Sequence, residues 1–381
     1  MKSVHVTLTP FLNESRVLKE INSLLESGVA RQVVVLAIWR AGLKKSENIG
    51  DKIKVIRINP YLIYVVKKLT KISEISFYKL LIALLSVRVF FIRPDIISIH
   101  HVNALGIVRL KSVLKKCLFI YDTHELETET QSSVGELKVF RQKLEQKFMP
   151  LVDHTFVVTP SIEKWYRNTY DTDRISTVMN TPLKHGDVIN KDIFRKKYKI
   201  ESQDTIFIYN GSLFDGRGIQ ILLEVFEKIV NKSSHIIFMG DGELETLILQ
   251  FEKRNENIHF HEAVAPSKVI EYTASADAGI SLIENVCLSY YYCLPNKIFE
   301  YTIAEIPMIV SNMLDMSNYV LNNKVGIVAK SNSINDVTQS VETLARNHAL
   351  YKDALIRAKE AYNWENEEEK MIRIYRNLLS R

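Results

Sequence analysis

Short apolar runs alternate with amphipathic segments along this 381-residue chain, and that order constrains the fold more than any other feature. Runs of four to eight apolar residues indicate buried strands, and apolar residues three or four positions apart indicate helices. Strands that alternate with helices form mostly parallel sheets covered on both faces. The sequence therefore predicts an α/β fold.

Twelve strands are predicted, six on each side of a polar stretch at residues 181–199. The first six cover residues 4–8, 33–38, 54–58, 96–100, 119–122 and 155–158, and the second six cover residues 206–209, 236–239, 258–260, 279–282, 308–310 and 326–328. Predicted helices cover residues 16–25, 61–91, 104–115, 136–147, 219–230, 243–253, 267–274, 296–304, 333–346 and 351–379. The restart of the pattern after residue 199 predicts two doubly wound domains.

The net charge and the cysteine spacing indicate which partners and which compartment to expect. The net charge of +6 suits phosphate-bearing small molecules or anionic lipid surfaces. We find no zinc finger, RNA-recognition signature or long basic run, so no nucleic-acid partner is expected. The three cysteines have neither metal-ligand nor paired spacing, which indicates reduced thiols and a cytoplasmic protein.

No transmembrane helix and no signal peptide are expected. The longest apolar run, residues 80–87, is far shorter than the roughly 20 residues that span a bilayer. Residues 1–10 fit a short buried strand better than a signal peptide.

The first candidate site is the glycine-rich segment 210–218, between a predicted strand and a predicted helix. Ligands of parallel sheets bind beyond the carboxyl ends of the strands. Gly211 allows close backbone approach, the helix start offers free N–H groups, and Arg217 adds a planar charge suited to phosphate. The alternative is an ordinary strand–helix turn.

Two later segments have similar positions. Gly240 and Gly242 form half of a dinucleotide fingerprint, although a plain turn explains them as well. Lys297 opposes the dipole at a predicted helix start, which a bound phosphate would explain, and Glu300 one turn later suits a ribose diol. The alternative for this pair is a surface ion pair.

A fourth candidate site follows a strand of the first domain. Asp122 and His124 lie at its end, and His100 and His101 follow the preceding strand. The alternative is a helix-start cluster in which His124 is solvated. No metal site is predicted from these histidines, because the sequence forces no further ligand near them.

Together these segments resemble the retaining glycosyltransferases of family 4, which have the GT-B fold. Residues 13–17 (NESRV) are similar to the family's opening loop, and residues 93–100 (RPDIISIH) to its strand ending in histidine. Residues 210–218 are similar to its phosphate loop and residues 238–243 (FMGDGE) to its GDG turn. The most specific match is LPNKIFEY at residues 294–301.

The resemblance implies two Rossmann-like domains facing across a cleft. Residues 1–185 would bind the acceptor, residues 186–360 would bind the nucleotide sugar, and residues 361–381 would form a helix returning to the first domain. Arg217 would hold the diphosphate, Glu300 the ribose and His124 the transferring sugar, with His124 and Glu300 as the catalytic pair. The remaining donor-side candidates are Gly211, Ser212, Gly240, Gly242, Ala263, Val264, Asn296 and Lys297, and the acceptor-side candidates are Asn13, Arg16, His100, His101 and Asp122.

Two positions depart from the family pattern. Ser212 stands where many members have arginine, and Tyr292 stands where many have a first glutamate. Lys297 is a candidate for the missing positive charge. The loss of the first glutamate leaves the donor sugar open.

The expected activity is metal-independent, cofactor-free hexosyl transfer from a nucleoside diphosphate sugar, with a UDP-sugar favoured, to a glycan or lipid-linked acceptor in cell-surface polysaccharide biosynthesis. A nucleotide-sugar epimerase and an inactive GT-B scaffold remain alternatives. Residues 61–93 also predict peripheral attachment to anionic lipid at the inner face of the cell membrane. Among many apolar residues this segment has one acidic residue, Glu74, and the basic residues Lys67, Lys68, Lys71, Lys79, Arg88 and Arg93.

Overall fold

The chain forms two compact units. The computed structural model describes residues 1–381 except 13, 62, 64, 66, 67, 69–72, 185, 187–191, 231 and 381. Residues Met1–Met179 and Glu368–Arg381 form the first unit, and Asn180–Glu367 form the second. The first boundary lies six residues before the predicted one at 185.

The first unit contains an eight-stranded sheet with the order β3-β4-β2-β1-β5-β6-β7-β8. Neighbouring strands are parallel except for the antiparallel pair β3 and β4. The strands are β1 (Lys2–Val6), β2 (Gln32–Ile38), β3 (Ser46–Ile49), β4 (Ile53–Ile58), β5 (Ile96–Ile99), β6 (Leu118–Asp122), β7 (His154–Val157) and β8 (Ile175–Thr177). Helices with described bounds before residue 180 are α1 (Ser15–Glu26), α2 (Glu74–Ile92), α3 (Gly135–Phe148) and α4 (Pro160–Tyr170).

The second unit contains a six-stranded, fully parallel sheet with the order β11-β10-β9-β12-β13-β14. Its strands are β9 (Thr205–Asn210), β10 (Ser234–Gly240), β11 (Ile258–Glu262), β12 (Ala278–Ser281), β13 (Met308–Val310) and β14 (Gly326–Val328). The helices from residue 180 onward are α5 (Ile193–Tyr198), α6 (Ile219–Lys228), α7 (Glu245–Glu252), α8 (Val269–Thr273), α9 (Leu288–Tyr291), α10 (Asn296–Ile303), α11 (Leu314–Asn323), α12 (Ile334–Asn347), α13 (Lys352–Ala361) and α14 (Trp364–Leu379). The residues of α14 from Glu368 onward belong to the first unit.

All twelve predicted strands are present, but the sequence missed β3 and β8. β3 is a largely exposed edge strand with the sequence SENI, so it lacks an apolar run. The predicted helix 104–115 is a 3-10 helix at Val102–Ser112, and the predicted terminal helix is interrupted between α13 and α14. The predicted helix 61–91 is seen as α2 from Glu74, since its first part lies largely outside the described residues.

Helix α2 corrects the expectation that no segment reaches the length of a membrane span. It has 19 residues and a mean hydropathy of 2.0, so by length and composition alone it could cross a bilayer. Only 28% of it is buried within the chain. The sequence estimate was too short because it ended the apolar run at Lys79 and Arg88, although the helix continues through both residues.

Helix α10 is held against the second sheet by Tyr301. A Cβ atom at Gly279 in β12 would lie only 2.4 Å from Cδ2 of the Tyr301 ring, so the ring needs a glycine beneath it. The Tyr301 hydroxyl is 3.2 Å from the carbonyl oxygen of Ile208 and 3.0 Å from that of Ile280. This side chain therefore fixes α10 to β9 and β12 together.

Substitution Gly279→Ala should destabilise the protein by about 1–3 kcal/mol, because overpacking a buried contact has this cost. The added methyl would push Tyr301 and α10 away from the sheet. Gly186→Ala is the matched control, since nothing lies within 4 Å of its Cβ position. Denaturant unfolding of both variants measures the difference, and equal stability would contradict the assigned contact.

Candidate active site

The glycine-rich segment after β9 packs directly on the turn after β10. The Gly211 N–H donates to the Met239 carbonyl at 2.9 Å, and the Leu213 N–H donates to the Asp241 carbonyl at 2.9 Å. A Cβ atom would lie 1.8 Å from the Gly211 oxygen if placed on Gly240, and 2.4 Å from the Leu213 oxygen if placed on Gly242. Both glycines are therefore required by backbone contact between the two turns. Their contact with a ligand stays a prediction.

Two cationic side chains lie at the glycine-rich segment, Arg217 within it and Lys297 from helix α10. Lys297 Nζ lies 3.5 Å from the centroid of the Tyr209 ring, and Arg217 Cζ lies 4.9 Å from the centroid of the Tyr290 ring. Within the described part of the chain, neither cation forms an ion pair with a carboxylate. Burial and, to a smaller extent, the nearby Arg217 charge lower the pKa of Lys297 to about 7, against the opposing effect of Glu300. The two positive charges repel each other, and a bound anion would stabilise both.

Glu300 is oriented by the end of β9. The Asn210 side-chain N–H donates to Glu300 Oε2 at 2.6 Å, while Asn210 Oδ1 is buried without a hydrogen-bond partner among the described residues. Lys297 and Glu300 both lie on α10, in the first and second turns. The fold therefore brings Arg217, Lys297 and Glu300 together around the end of one strand.

The other donor-side candidates lie at turns of the second unit. Ser212 is exposed, and its carbonyl accepts a hydrogen bond from the Tyr209 hydroxyl at 2.9 Å. Asn296 is exposed and accepts a hydrogen bond from Asn180 at 2.8 Å. Ala263 and Val264 directly follow β11, with Ala263 exposed and Val264 half-buried. Their roles stay predictions.

A chain of hydrogen-bonded side chains links three adjacent strands of the first unit. His5 Nδ1 lies 2.9 Å from His100 Nε2, and His100 Nδ1 lies 3.0 Å from Asp122 Oδ2. His124 Nε2 also lies 3.0 Å from Asp122 Oδ2. His5, His100 and Asp122 are buried, whereas the His124 side chain is 35% exposed. His124 is thus the accessible end of a buried chain.

Arg16 on α1 completes this cluster. Its Nη2 donates to Asp122 Oδ1 at 2.7 Å and its Nη1 donates to the Val178 carbonyl at 2.8 Å. Its Nε lies 2.9 Å from Glu20 Oε1. Burial alone would raise the pKa of Asp122, but Arg16 and the hydrogen bonds from His100 and His124 hold that pKa well below its usual range. Burial and the neighbouring Asp122 raise the pKa of Glu20.

These pKa shifts indicate which nitrogen and oxygen atoms of the cluster carry a proton. Burial lowers the pKa of both His5 and His100, so both rings are neutral. Because Asp122 is ionised and accepts only, His100 Nδ1–H and His124 Nε2–H donate to it. His100 Nε2 then accepts from His5 Nδ1–H. No described residue hydrogen bonds to His124 Nδ1, so that nitrogen can meet a ligand.

Two groups in this cluster have ligand atoms spaced for a metal ion, His5, Glu20 and His100 in one and His100, Asp122 and His124 in the other. The expectation that no further ligand lies nearby was wrong, because His5 and Glu20 approach from β1 and α1. Arg16, however, already contacts both carboxylates and supplies a permanent positive charge. The cluster therefore suits orientation of His124 better than metal binding.

Two acceptor-side candidates lie elsewhere. His101 does not join the chain of hydrogen bonds. Its Nδ1 lies 3.0 Å from Glu127 Oε2 and accepts from the Asn103 N–H at the start of a 3-10 helix. Asn13 lies outside the described residues.

Sequence reasoning missed four residues of these clusters. His5, Glu20, Tyr209 and Tyr290 lie within a strand or helix and belong to no motif. A polar residue inside an apolar strand, as at His5, was the only available signal. The others become visible only when the fold brings them near Asp122, Lys297 and Arg217.

Comparison with known proteins supports a glycosyltransferase. Residues 190–362, which lie in the second unit, match the family model described as glycosyl transferases group 1. No match was found among curated protein sequences. The fold is that of sucrose-phosphate synthase from Thermosynechococcus elongatus, with a TM-score of 0.80 at 14% identity over 100% of this chain and 99% of that one.

Two further solved structures share the fold. The α,α-trehalose 6-phosphate synthase of Burkholderia multivorans aligns with a TM-score of 0.73 at 10% identity over 99% of this chain and 98% of that one. Anabaena HepE, solved with UDP and glucose, aligns with a TM-score of 0.70 at 10% identity over 98% of both chains. The predicted GT-B fold is confirmed, and the matched family model supports a transferase.

The lowered pKa of Lys297 should make anion binding depend on pH. Sulfate keeps its charge above pH 6, so any dependence reports on the protein. Stabilisation by sulfate should be largest at pH 6.5, where Lys297 is protonated, and should fall as pH rises through about 7 and the ammonium loses its proton. Thermal unfolding with and without sulfate from pH 6.5 to 9 measures this.

Lys297→Arg is the control, because an arginine side chain stays charged over this range. Its sulfate stabilisation should be nearly flat with pH. An equal slope in wild type and variant would contradict the assignment of the titration to Lys297.

Proposed function

We propose that this protein is a retaining, metal-independent glycosyltransferase of the family 4 type that uses a nucleoside diphosphate sugar. The observation that carries the proposal is the pair of cations, Arg217 and Lys297, held without carboxylate partners in the described structure beside a glycine-rich strand–helix turn. The matched family model supports the same reaction class.

A UDP-sugar is the proposed donor. HepE, which shares the fold, was solved with UDP-glucose and with UDP. We assign the diphosphate to Arg217 and Lys297, and the ribose diol to Glu300, whose carboxylate is held by Asn210. The base would lie near Gly240–Gly242 and Ala263–Val264. Tyr292, at the position of the family's first glutamate, leaves the identity of the sugar open.

The proposed reaction breaks the bond between the anomeric carbon and the diphosphate oxygen. Arg217 and Lys297 stabilise the negative charge that develops on the leaving diphosphate, a large term in catalysis of this kind. The acceptor oxygen attacks the same face of the sugar, and its proton passes to the leaving phosphate oxygen. His124 would contact the transferring sugar through Nδ1, with Asp122 holding the ring.

The acceptor is proposed to be a glycan or a lipid-linked glycan used in cell-surface polysaccharide biosynthesis. We assign to Arg16, His100 and Asp122 an indirect role on the acceptor side, which is to orient His124. We also propose a cytoplasmic enzyme that attaches peripherally to the inner face of the cell membrane.

The support for membrane attachment is the outer face of α2. This face is apolar, with Leu80, Val87, Phe90 and Phe91 each at least 40% exposed. The basic residues Lys79, Arg88 and Arg93 accompany it. A groove of about 460 Å³ between α2 and α3 has the apolar residues Ile75, Val139 and Phe140 in its lining, with two basic residues, Lys79 and Lys143, and one acidic residue, Glu136. Apolar and basic residues side by side suit an anionic bilayer surface.

The enzyme proposal predicts that one substitution weakens UDP binding and another slows sugar transfer without weakening UDP binding. Arg217→Ala should weaken UDP binding by about 1.5–3 kcal/mol, because a charge-assisted contact is lost. His124→Ala should leave UDP affinity nearly unchanged but slow sugar transfer about tenfold or more, since it removes a contact to the sugar alone. Calorimetry with UDP and assays of UDP release from UDP-sugars measure the two effects.

Arg254→Ala is the matched control. Arg254 also stacks on an aromatic ring, that of Phe251 at 4.0 Å, but it lies just beyond the end of α7. It should behave like wild type. UDP-sugar conversion without an acceptor would favour an epimerase, and the lack of binding to UDP, GDP or ADP would favour an inactive scaffold.

The membrane proposal predicts binding to anionic vesicles only. Cosedimentation should be seen with phosphatidylglycerol mixed into phosphatidylcholine, and it should weaken with salt as the attraction is screened. Phe91→Asp should reduce binding strongly, whereas Leu350→Asp, at an 80% exposed position of the second unit, should not. No sedimentation with anionic vesicles at low salt would exclude this surface.

A further inference from the structure

We propose that Tyr209 and Tyr290 are positioning residues that hold Lys297 and Arg217 ready for a diphosphate, with ring faces in place of carboxylate partners. This inference rests on the proposed function, because it takes the ligand of the two cations to be the diphosphate of the donor. It adds two residues that no motif in the sequence identifies.

The geometry matches cation–π pairing at both positions. Both distances, 3.5 Å for Lys297 over Tyr209 and 4.9 Å for Arg217 over Tyr290, lie within the roughly 6 Å at which such pairs attract. The two pairs meet the same glycine-rich segment. The Lys297 side chain lies 3.7 Å from the Cβ position of Gly211, and the Tyr290 ring lies 3.7 Å from that of Gly216.

Three other cations of the described chain are neutralised by carboxylates. Arg16 pairs with Asp122 at 2.7 Å, Arg195 with Asp277 at 2.7 Å, and Lys359 with Glu305 at 2.7 Å. These three cations are shielded from water, with at most 16% of each side chain exposed. Arg217 and Lys297 are half-buried, and they contact ring faces where these three cations contact carboxylates.

The difference matters for an incoming anion. A carboxylate partner would cancel the positive charge and occupy the N–H donors, and a diphosphate would have to displace it. A ring face attracts the cation but carries no net charge, so it leaves the charge of Arg217, and that of Lys297 when protonated, available to an anion. An arginine stacked on a ring keeps its in-plane N–H groups free for phosphate oxygens.

The two tyrosines differ in how they are held. Tyr209 is fully buried in β9, and its hydroxyl donates to the Ser212 carbonyl, so it also fixes the start of the glycine-rich segment. Tyr290 lies on the short helix α9 and is only half-buried. Tyr290 is therefore the better position for a test, since its replacement leaves the core intact.

The test compares Tyr290→Leu with Tyr290→Phe in calorimetric titrations of inorganic pyrophosphate, UDP and uridine. Tyr290→Leu removes the ring face and should weaken binding of pyrophosphate and UDP by about 3- to 30-fold, the range of a cation–π contact. Tyr290→Phe keeps the face and should stay within about twofold of wild type. Uridine has no phosphate, and its affinity should not change in either variant.

Two controls separate positioning from a general structural effect. Tyr291→Leu alters the adjacent tyrosine, whose ring contacts that of Tyr292, and should bind pyrophosphate like wild type. In the double variant Arg217→Ala/Tyr290→Leu, the second change should add nothing to the first, because Tyr290 acts through Arg217.

The outcomes decide the inference separately from the proposed function. Wild-type affinity for pyrophosphate in Tyr290→Leu would overturn it, and so would equal losses in the leucine and phenylalanine variants. A parallel loss of uridine binding would assign Tyr290 to the nucleoside instead. If pyrophosphate binding is lost in Tyr290→Leu and kept in Tyr290→Phe, but the wild-type protein transfers no sugar, the inference stands and the proposed function falls. If wild type binds neither pyrophosphate nor UDP, both fall.

Discussion

The contact of Tyr301 with the second sheet is the constraint on which the donor side depends. Its ring lies where only a glycine at position 279 leaves room, and its hydroxyl is shared between carbonyls of β9 and β12. Glu300 precedes it directly, and Lys297 lies one turn earlier on α10. One buried side chain thus sets the height and rotation of the helix that carries two of the three proposed donor contacts.

The two polar clusters balance charge in opposite ways. In the first unit, Arg16 offsets the ionised Asp122, Glu20 has a raised pKa, and His5 and His100 are neutral. The net charge of that cluster is close to zero, and its role is to hold the His124 ring in one orientation through Asp122. In the second unit, Arg217 and the protonated form of Lys297 carry charge that no ion pair in the described structure compensates. Such a site gains its full stability only when an anion arrives.

Much of the fold could be predicted from the sequence, because buried parallel strands read as apolar runs. The strand TIFIYN of β9 is buried at all six positions, whereas SENI of β3 is not, and only the first was predicted. The segment 294–301 also predicted helix α10, and its proposed donor role rests on the lysine at the helix start. The stacking of Arg217 on Tyr290 could not be predicted, because it joins a loop to a helix 73 positions later and no spacing rule connects them. The same holds for His5, which meets His100 across 95 positions.

The Tyr375 side chain has a consequence for the order in which the protein matures. It lies on the part of α14 that belongs to the first unit, where its hydroxyl lies 3.2 Å from that of Ser98 and its ring contacts the Phe156 ring. The partners Ser98 and Tyr375 are 277 positions apart in the chain. A ribosome must therefore finish the second unit before the first can close its core, although the first begins to emerge earlier. Until then the surface that Tyr375 covers stays open on the first unit.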